Sequence, residues 1–258
     1  MRLQGKRAVV TGGGRGIGAA VARALVHEGA SVVVCSRTGS EIDAIAAELT
    51  ESGGKAWAVT CDVADSEQIA ELARRANELA GSIQILVNSA GIASSAPLKS
   101  IELDDWNRLI AVNATGPFLC TQAFMPGMLA GGWGRVVTIA SIAGKVGHPY
   151  IAAYTASKHA AIGFTRAVAA EVAGKGVTVN SVCPGYVDTP MTDQSVARIV
   201  ERTGMSAADA RQHLQLLSPQ GRLIEPEEVA HQVIALCDPL ARGVNGQAVV
   251  IDGGAVQS

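Results

Sequence analysis

The sequence predicts an α/β fold: one doubly wound unit with seven parallel strands and helices on both faces of the sheet. Three observations predict it. Short apolar runs rich in valine alternate with longer helical patterns along the whole chain, a glycine-rich turn follows the first run, and no linker divides the 258 residues. We therefore expect residues 1–258 to form a single domain.

The composition excludes several classes of protein. With 48% hydrophobic and 17% charged residues, the chain can bury a substantial core, and its net charge of −2 gives no electrostatic case for nucleic acid or an anionic membrane. We see no secretory signal and no apolar run long enough to span a bilayer. The five cysteines are widely spaced and match neither a disulfide framework nor a metal site, so a cytoplasmic protein without a metal is expected.

The first predicted strand, residues 7–11, leads into a glycine-rich turn and then a helix to about residue 29. Glycines let a backbone approach a pyrophosphate closely, and a helix N-terminus supplies amides and partial positive charge. A tight turn without a ligand is the alternative explanation. The position after the first strand favours binding of a dinucleotide cofactor in a Rossmann-type fold, at Gly12, Arg15, Gly16, Ile17 and Gly18.

The second strand, residues 31–35, ends at Ser36-Arg37-Thr38. In dinucleotide folds an acid at this strand end binds the 2′-hydroxyl of NAD, but the first acid here is Glu41, inside the next predicted helix. Arg37 stands at the strand end and Arg15 projects from the glycine turn. Two guanidinium groups suit a 2′-phosphate, so we predict NADP rather than NAD. The alternative is that both arginines are solvated surface residues.

The remaining elements continue the alternation. Helices are predicted over residues 40–52, 66–80 and 103–130, with strands at 56–61, 83–87 and 134–140. The first two of these strands end in Asp62-Val63 and in the flat segment Asn88-Ser89-Ala90-Gly91. Asn113 lies in an apolar part of the long helix, which indicates burial and a required hydrogen-bond partner.

Further elements complete the sheet. A helix to about residue 173, a strand at 177–182 ending in Cys183-Pro184-Gly185, a helix from residue 226 and a strand at 247–251 are expected. Residues 191–217 are polar and lack a strand pattern. We predict two short helices there that form a substrate lid.

A hydroxyl, a phenol and an amine are closely spaced around the fifth strand. Ser141 follows this strand at its carboxyl end, where ligands bind in open parallel sheets. Tyr154 and Lys158 are an i, i+4 pair on the following helix. A nearby ammonium is expected to lower the tyrosine pKa, so that the phenol can exchange a proton with an alcohol or carbonyl oxygen. A half-buried tyrosine beside a surface lysine is the alternative.

Taken together, these motifs resemble the short-chain dehydrogenase/reductase family over nearly the whole chain. They occur in the family's order: Thr11-Gly12-x-x-x-Gly16-x-Gly18, Asp62, Asn88-Ser89-Ala90-Gly91, Asn113, Ser141, Tyr154-x-x-x-Lys158 and Pro184-Gly185. Ser89 stands where the family usually has asparagine. The pattern from Tyr154 to Met191 is most similar to bacterial β-ketoacyl reductases and polyketide ketoreductases.

The resemblance implies a role for each residue. Tyr154 would transfer the proton, and Lys158 would lower the pKa of Tyr154 and bind the nicotinamide ribose. Ser141 would orient the substrate oxygen, and Asn113 would hold a water molecule of the proton relay. The resemblance adds cofactor contacts for Asp62, Val63, Asn88, Ala90, Gly91, Pro184, Gly185, Val187 and Thr189. It places substrate against Ser141, His148, Tyr154 and Tyr186.

Function is expected to be hydride transfer between NADP(H) and a ketone or secondary alcohol, with a 3-oxoacyl or 3-hydroxyacyl thioester as the favoured substrate. A homotetramer is implied by the resemblance alone. Two alternatives stay open: an NAD-dependent hydroxyacyl-CoA or cyclic-alcohol dehydrogenase, and a dinucleotide-sensing protein without turnover. The full set of four catalytic residues argues against the sensor, which needs no proton donor.

Overall fold

The computed structural model describes residues 1–257 and contains one seven-stranded parallel sheet, in the order β3-β2-β1-β4-β5-β6-β7. Chain order changes direction between β1 and β4, and ligands of such sheets bind at the carboxyl ends beside this switch point. The strands are β1 (Arg7–Thr11), β2 (Ser31–Ser36), β3 (Ala56–Thr60), β4 (Ile85–Asn88), β5 (Gly134–Ile139), β6 (Val177–Pro184) and β7 (Ala248–Ile251).

Nine α-helices connect and cover these strands within residues 1–257. Those preceding the fourth strand are α1 (Gly16–His27), α2 (Gly39–Glu51) and α3 (Ser66–Ala80). Those between the fourth and sixth strands are α4 (Leu103–Ile110), α5 (Gly116–Ala130) and α6 (Ala152–Glu171). The remaining ones are α7 (Pro190–Thr203), α8 (Ala207–Leu216) and α9 (Pro226–Cys237).

The strands are apolar along their length because helices cover both faces of the sheet. Val10 and Val34 pair in register and face a core shared with α1, α2 and α9. Val9 and Val33, one residue earlier, face the opposite core, which α3 and α5 complete. The predicted doubly wound fold is confirmed.

The predicted long helix over residues 103–130 is confirmed in its bounds, but it is not α-helical throughout. A π-helical segment, Ala111–Thr115, separates α4 from α5. Pro117 has no N–H, so the ordinary helical bond to the carbonyl of Asn113, four residues earlier, cannot form. Wider turns of this kind are frequent at functional sites.

The segment 191–217 forms two short helices, as predicted. They are α7 and α8, and they share a small apolar cluster of their own, made by Val196, Ala210, Leu214 and Leu223. Other boundaries differ from the predicted ones by one or two residues: β4 begins at Ile85 and β6 continues to Pro184. Closure of this segment over a substrate stays a prediction.

Candidate active site

The predicted site residues lie along one edge of the sheet, because parallel strands all end there. The glycine turn follows β1, Arg37 follows β2, Asp62 lies two residues beyond β3, and Ser141 lies two residues beyond β5. A cavity of about 370 Å³ opens at this edge. Its wall includes the following predicted cofactor residues: Gly12, Arg15, Gly16, Ile17, Gly18, Ser36, Arg37, Asp62, Val63, Ala90, Gly91 and Thr189.

The floor of this cleft can be formed only by glycine. Gly12 has a φ of 65°, and a Cβ there would lie 2.8 Å from the backbone of Ala90. A Cβ on Gly18 would lie 2.1 Å from the carbonyl oxygen of Gly12. Thr11 holds the facing loop, since its Oγ1 accepts from the amides of Ser89 and Ala90, each at 3.1 Å. The two backbones therefore approach closely and leave a smooth surface beside α1.

The N-terminus of α1 is suited to an anion. Arg15 is its N-cap residue and makes no capping hydrogen bond with its side chain, and no acidic residue lies in the first turn. The amides of the first turn have no partner within the helix, and the helix dipole adds partial positive charge there. A pyrophosphate fits this arrangement of amides and glycines.

Both predicted arginines lie at one end of the cleft, and an acidic residue lies with them. Arg15 and Arg37 are exposed in its wall. Nη1 of Arg15 is 3.2 Å from Oε1 of Glu41 on α2. Glu41 lies inside α2, yet its side chain faces back toward the glycine turn. The guanidinium group of Arg15 is therefore partly neutralised by the protein itself.

Some predicted cofactor residues lie outside the wall of this cleft. Asn88 is buried beneath it, and its Nδ2 donates to Thr121 Oγ1 at 3.3 Å and to Thr138 Oγ1 at 3.4 Å. Val187 is also buried, and its carbonyl accepts from Thr192 Oγ1 at 2.5 Å. Pro184 and Gly185 end β6 next to it. These residues support the edge of the sheet from within.

Tyr154 is half-buried near the start of α6, close to the side chain of Ser141. Ser141 is held in turn, because its Oγ accepts from the amide of Ala143 at 3.1 Å. Burial raises the pKa of Tyr154 to about 12, and the nearby Ser141 hydroxyl offsets part of this rise. The phenol is therefore neutral near pH 7.

Lys158 is buried one turn further along α6. Its Nζ donates to the carbonyl of Ile139 at 2.9 Å and lies 5.7 Å from the ring centre of Tyr154. Burial lowers the pKa of Lys158 to about 8. The prediction of a lowered pKa for Tyr154 is wrong in this structure, because desolvation of the phenolate outweighs the groups that favour its charged form.

Asn113 lies in the π-helical segment and is 1% exposed. Its side chain accepts from the amide of Ile92 and donates to the carbonyl of the same residue, each at 2.9 Å, and donates to Ser157 Oγ at 3.0 Å. The predicted burial and hydrogen-bond partner are confirmed. The side chain therefore connects the wall of the cleft to α6. That Asn113 also holds a water molecule stays a prediction.

Two of the predicted catalytic residues adjoin the predicted cofactor cleft. A Cβ on Gly91 would lie 3.3 Å from Oδ1 of Asn113 and 3.6 Å from Nζ of Lys158. Gly91 itself lines the cleft. The side chains of Asn113 and Lys158 therefore lie next to the predicted cofactor site at this glycine.

The two other predicted substrate residues differ in their placement. Tyr186 is 39% exposed and lies near Tyr154, since its charge would raise the pKa of that residue. His148 is exposed on the loop before α6 and lines neither this cleft nor the cavity beside it. Nothing in the geometry connects His148 with the reacting groups.

Sequence analysis missed part of the cleft wall. Asp105, Arg108, Leu109 and Val112 line it from α4 and the adjoining π-helical segment. Their spacing of three and four residues places them on one helix face, so helical periodicity could have found them. Ile92, Ala93 and Ser94 extend the strand-four loop along the wall. Within residues 1–257 no helix is both long and apolar enough to cross a membrane.

Comparisons with known proteins agree with this geometry. A family model described as short chain dehydrogenase matches residues 6–199. The chain is 40% identical over 256 residues to a 3-oxoacyl-[acyl-carrier-protein] reductase of Synechocystis sp., covering 98% of each chain. It is 35% identical over 255 residues to a D-beta-hydroxybutyrate dehydrogenase of Cupriavidus necator, again covering 98% of each.

A solved structure shares the whole fold. The crystal structure of an actinorhodin polyketide ketoreductase variant with NADPH superposes with a TM-score of 0.94 at 37% identity, covering 97% of each chain. The glycine cleft, the α1 N-terminus and the matched relatives all point to a nicotinamide dinucleotide cofactor. The chain belongs to the short-chain dehydrogenase/reductase family and is an oxidoreductase that acts on CH–OH groups.

Proposed function

We propose that this protein is an NADP(H)-dependent reductase of ketones, with 3-oxoacyl thioesters as its substrate class. One observation carries the proposal: a half-buried, neutral Tyr154 lies beside Ser141 and 5.7 Å, from ring centre to Nζ, from the buried Lys158, next to a cleft suited to a dinucleotide. Reduction of a carbonyl needs a proton donor at the developing alkoxide.

Tyr154 is the proton donor in this mechanism. Its pKa of about 12 keeps the proton on the phenol until the carbonyl oxygen gains negative charge. Ser141 Oγ, fixed by Ala143, donates a second hydrogen bond to the same oxygen and orients it. Lys158 holds positive charge beside the phenol and stabilises the tyrosinate that remains after transfer. The alkoxide then becomes the secondary alcohol product.

The cofactor would lie along the cleft. The amides of the first turn of α1 would hold its pyrophosphate, and Arg15 and Arg37 would bind a 2′-phosphate with charge-assisted hydrogen bonds. When bound, the nicotinamide supplies the hydride that attacks the carbonyl carbon. Asp62 and Val63 would line the adenine end.

NAD as cofactor is the second candidate, and Glu41 is the observation that favours it. This carboxylate lies in the cleft within 3.2 Å of Arg15 and could accept a hydrogen bond from a ribose hydroxyl. We prefer NADP because two guanidinium groups outnumber the single carboxylate at this end of the cleft. With NAD, the reaction would be that of a hydroxyacyl or cyclic-alcohol dehydrogenase.

The substrate class rests on relatives. The Synechocystis protein is named a 3-oxoacyl-[acyl-carrier-protein] reductase, and the solved neighbour is a polyketide ketoreductase. A homotetramer and a cytoplasmic location stay predictions. Exposed apolar side chains on α4 and α5, Leu103, Trp106 and Phe118, support association through these helices.

A screen of the purified protein tests the proposal. NADPH and NADH consumption are followed with acetoacetyl-CoA, ethyl acetoacetate and a cyclic ketone. We expect turnover with acetoacetyl-CoA and a kcat/KM at least tenfold higher for NADPH. Faster turnover with NADH would favour the dehydrogenase, and binding of either cofactor without turnover of any ketone or alcohol would favour the dinucleotide sensor.

A further inference from the structure

A second cavity, of about 550 Å³, lies beside the cofactor cleft. The two share Ser94 and Asp105 in their walls, so they are adjoining spaces. Four parts of the chain line the second cavity: residues 94–101, Asp105 on α4, residues 150–153 at the start of α6, and helix α7. The mechanism above uses no residue of this cavity.

Two arginines on α7 line this cavity. Arg198 and Arg202 are one helical turn apart, and no ion pair involves either of them within residues 1–257. Arg198 donates to Ser195 Oγ at 3.0 Å, and Arg202 donates to the carbonyl of Ser95 at 2.8 Å. Asp105 is the one carboxylate in the lining described, and neither arginine lies within 4.0 Å of its oxygens.

This placement is unfavourable for the protein by itself. Like charges at i, i+4 repel each other, and burial together with the charge of Arg202 lowers the pKa of Arg198. By contrast, Arg211 on α8 is paired with Asp188 and Asp193 at 2.5 and 3.0 Å. An anion between Arg198 and Arg202 would remove the repulsion.

The cavity lies close to the reacting groups. Ala153, which lines it, directly precedes Tyr154. Tyr186 interacts electrostatically with Arg198 on one side and Tyr154 on the other. The wall is also strained: Tyr150 has a φ of 68°, and its carbonyl accepts from the amide of Ala96 at 2.7 Å. Such strain persists where the surrounding structure holds it and often marks binding sites.

We propose that Arg198 and Arg202 bind an anionic group, a phosphate or a carboxylate, at the end of the substrate remote from the reacting carbonyl. The proposal rests on the ketoreductase function proposed above. It adds a substrate requirement: ketones with a remote negative charge are preferred over neutral ones of the same length. A pantetheine phosphate and a terminal carboxylate are two sources of the same anionic oxygen chemistry.

Matched pairs of probes test this preference. One pair is acetoacetyl-pantetheine with and without its 4′-phosphate, and the other is a keto diester and the corresponding monoacid with its carboxylate remote from the ketone. The ratio of kcat/KM for the charged over the neutral member is measured in wild type, Arg198→Ala, Arg202→Ala and the double variant. Arg242→Ala is the control, since this exposed arginine lies in the turn before β7, at the opposite edge of the sheet.

For at least one pair, we expect a wild-type ratio of about ten or more that falls toward one in the double variant and weakens with added salt. The pair that responds identifies phosphate or carboxylate as the ligand. The control should keep the wild-type ratio. Ratios near one in wild type, or ratios unchanged in the double variant, would overturn the proposal.

A binding measurement separates this proposal from the proposed function. Calorimetry with 4′-phosphopantetheine and with the keto monoacid, each against its neutral counterpart, needs no turnover. Tighter binding of a charged probe that is lost in the double variant supports the anion site even if no ketone is reduced. Equal binding of charged and neutral probes, together with normal reduction of ethyl acetoacetate, would reject the anion site and keep the reductase.

Discussion

Replacing Glu41 by glutamine should strengthen NADPH binding. In the protein alone, the Glu41 carboxylate competes with a cofactor phosphate for Arg15, at an Nη1–Oε1 distance of 3.2 Å. The Arg15 side chain is 59% exposed and that of Glu41 is 31% exposed, so the ion pair contributes only about 0.2–1 kcal/mol. Releasing Arg15 should therefore lower the Kd of NADPH by up to about fivefold.

The arginine variants should act in the opposite direction and more strongly. A hydrogen bond to a charged group contributes roughly 1.5–3 kcal/mol, so Arg15→Ala and Arg37→Ala should each weaken NADPH binding by about tenfold or more. NADH lacks the 2′-phosphate, and its affinity should change little in both. Arg37→Asp should move the preference toward NADH, because it repels the phosphate and offers an acceptor to the ribose.

Fluorescence titration with both cofactors checks these effects. Glu48→Gln is the matched control for Glu41→Gln: it makes the same chemical change on the same helix, where Glu48 pairs with Arg23 outside the cleft. Its affinities should equal those of wild type. Weaker NADPH binding in Glu41→Gln, or a wild-type preference for NADH that Arg37→Asp leaves unchanged, would refute the reasoning.

Three further predictions follow from the geometry. The fall in the Lys158 pKa from 10.5 to about 8 means that its buried charge destabilises the folded state by about 3 kcal/mol. The hydrogen bond from Lys158 to the carbonyl of Ile139 stabilises the folded state by about 1 kcal/mol. Lys158→Met should therefore raise the free energy of unfolding at pH 7 by about 2 kcal/mol. Between about pH 8 and 10.5 the unfolded chain holds a proton on Lys158 that the folded chain releases, so urea titrations should show the stability advantage of the variant over wild type shrinking as pH rises; a variant less stable than wild type at pH 7 would contradict it. Asn113→Ala should lower the free energy of unfolding by about 2–3 kcal/mol, because it removes the hydrogen bonds to Ile92 and Ser157. Asn107→Ala, at an exposed position on α4, should change it by less than about 0.5 kcal/mol. Equal effects of the two substitutions would show that the hydrogen bonds of Asn113 do not stabilise the fold. Limited proteolysis should cut residues 191–217 first and should slow when NADPH and a ketone analogue are added together; unchanged cleavage would exclude closure.

The fold was predictable because its signals are local. Runs such as Val32-Val33-Val34, bounded by glycine turns, are typical of buried parallel strands, and the structure places them in the predicted order. The candidate catalytic positions were equally accessible, since Ser141 stands just after a strand and Tyr154 and Lys158 are one turn apart.

Features that depend on tertiary contacts were missed. The π-helical segment around Asn113 arises from a missing N–H at Pro117 and from bonds to Ile92 and Ser157, which are distant in sequence. Glu41 enters the cleft only because α2 lies against the glycine turn. The pKa of Tyr154 follows burial, which the i, i+4 spacing to Lys158 does not report.

Turnover and NADPH binding in Tyr154→Phe test the central claim most directly. The substitution removes one hydroxyl from a half-buried side chain and leaves the glycine cleft and both arginines in place. With acetoacetyl-CoA as substrate, we predict that kcat falls by roughly 10²–10⁴, while the Kd of NADPH changes by less than about threefold. Tyr150→Phe, four residues earlier, should lower kcat by at most a few-fold. A Tyr154→Phe protein that reduces the ketone at close to the wild-type rate would contradict the role of Tyr154 as proton donor and the mechanism built on it.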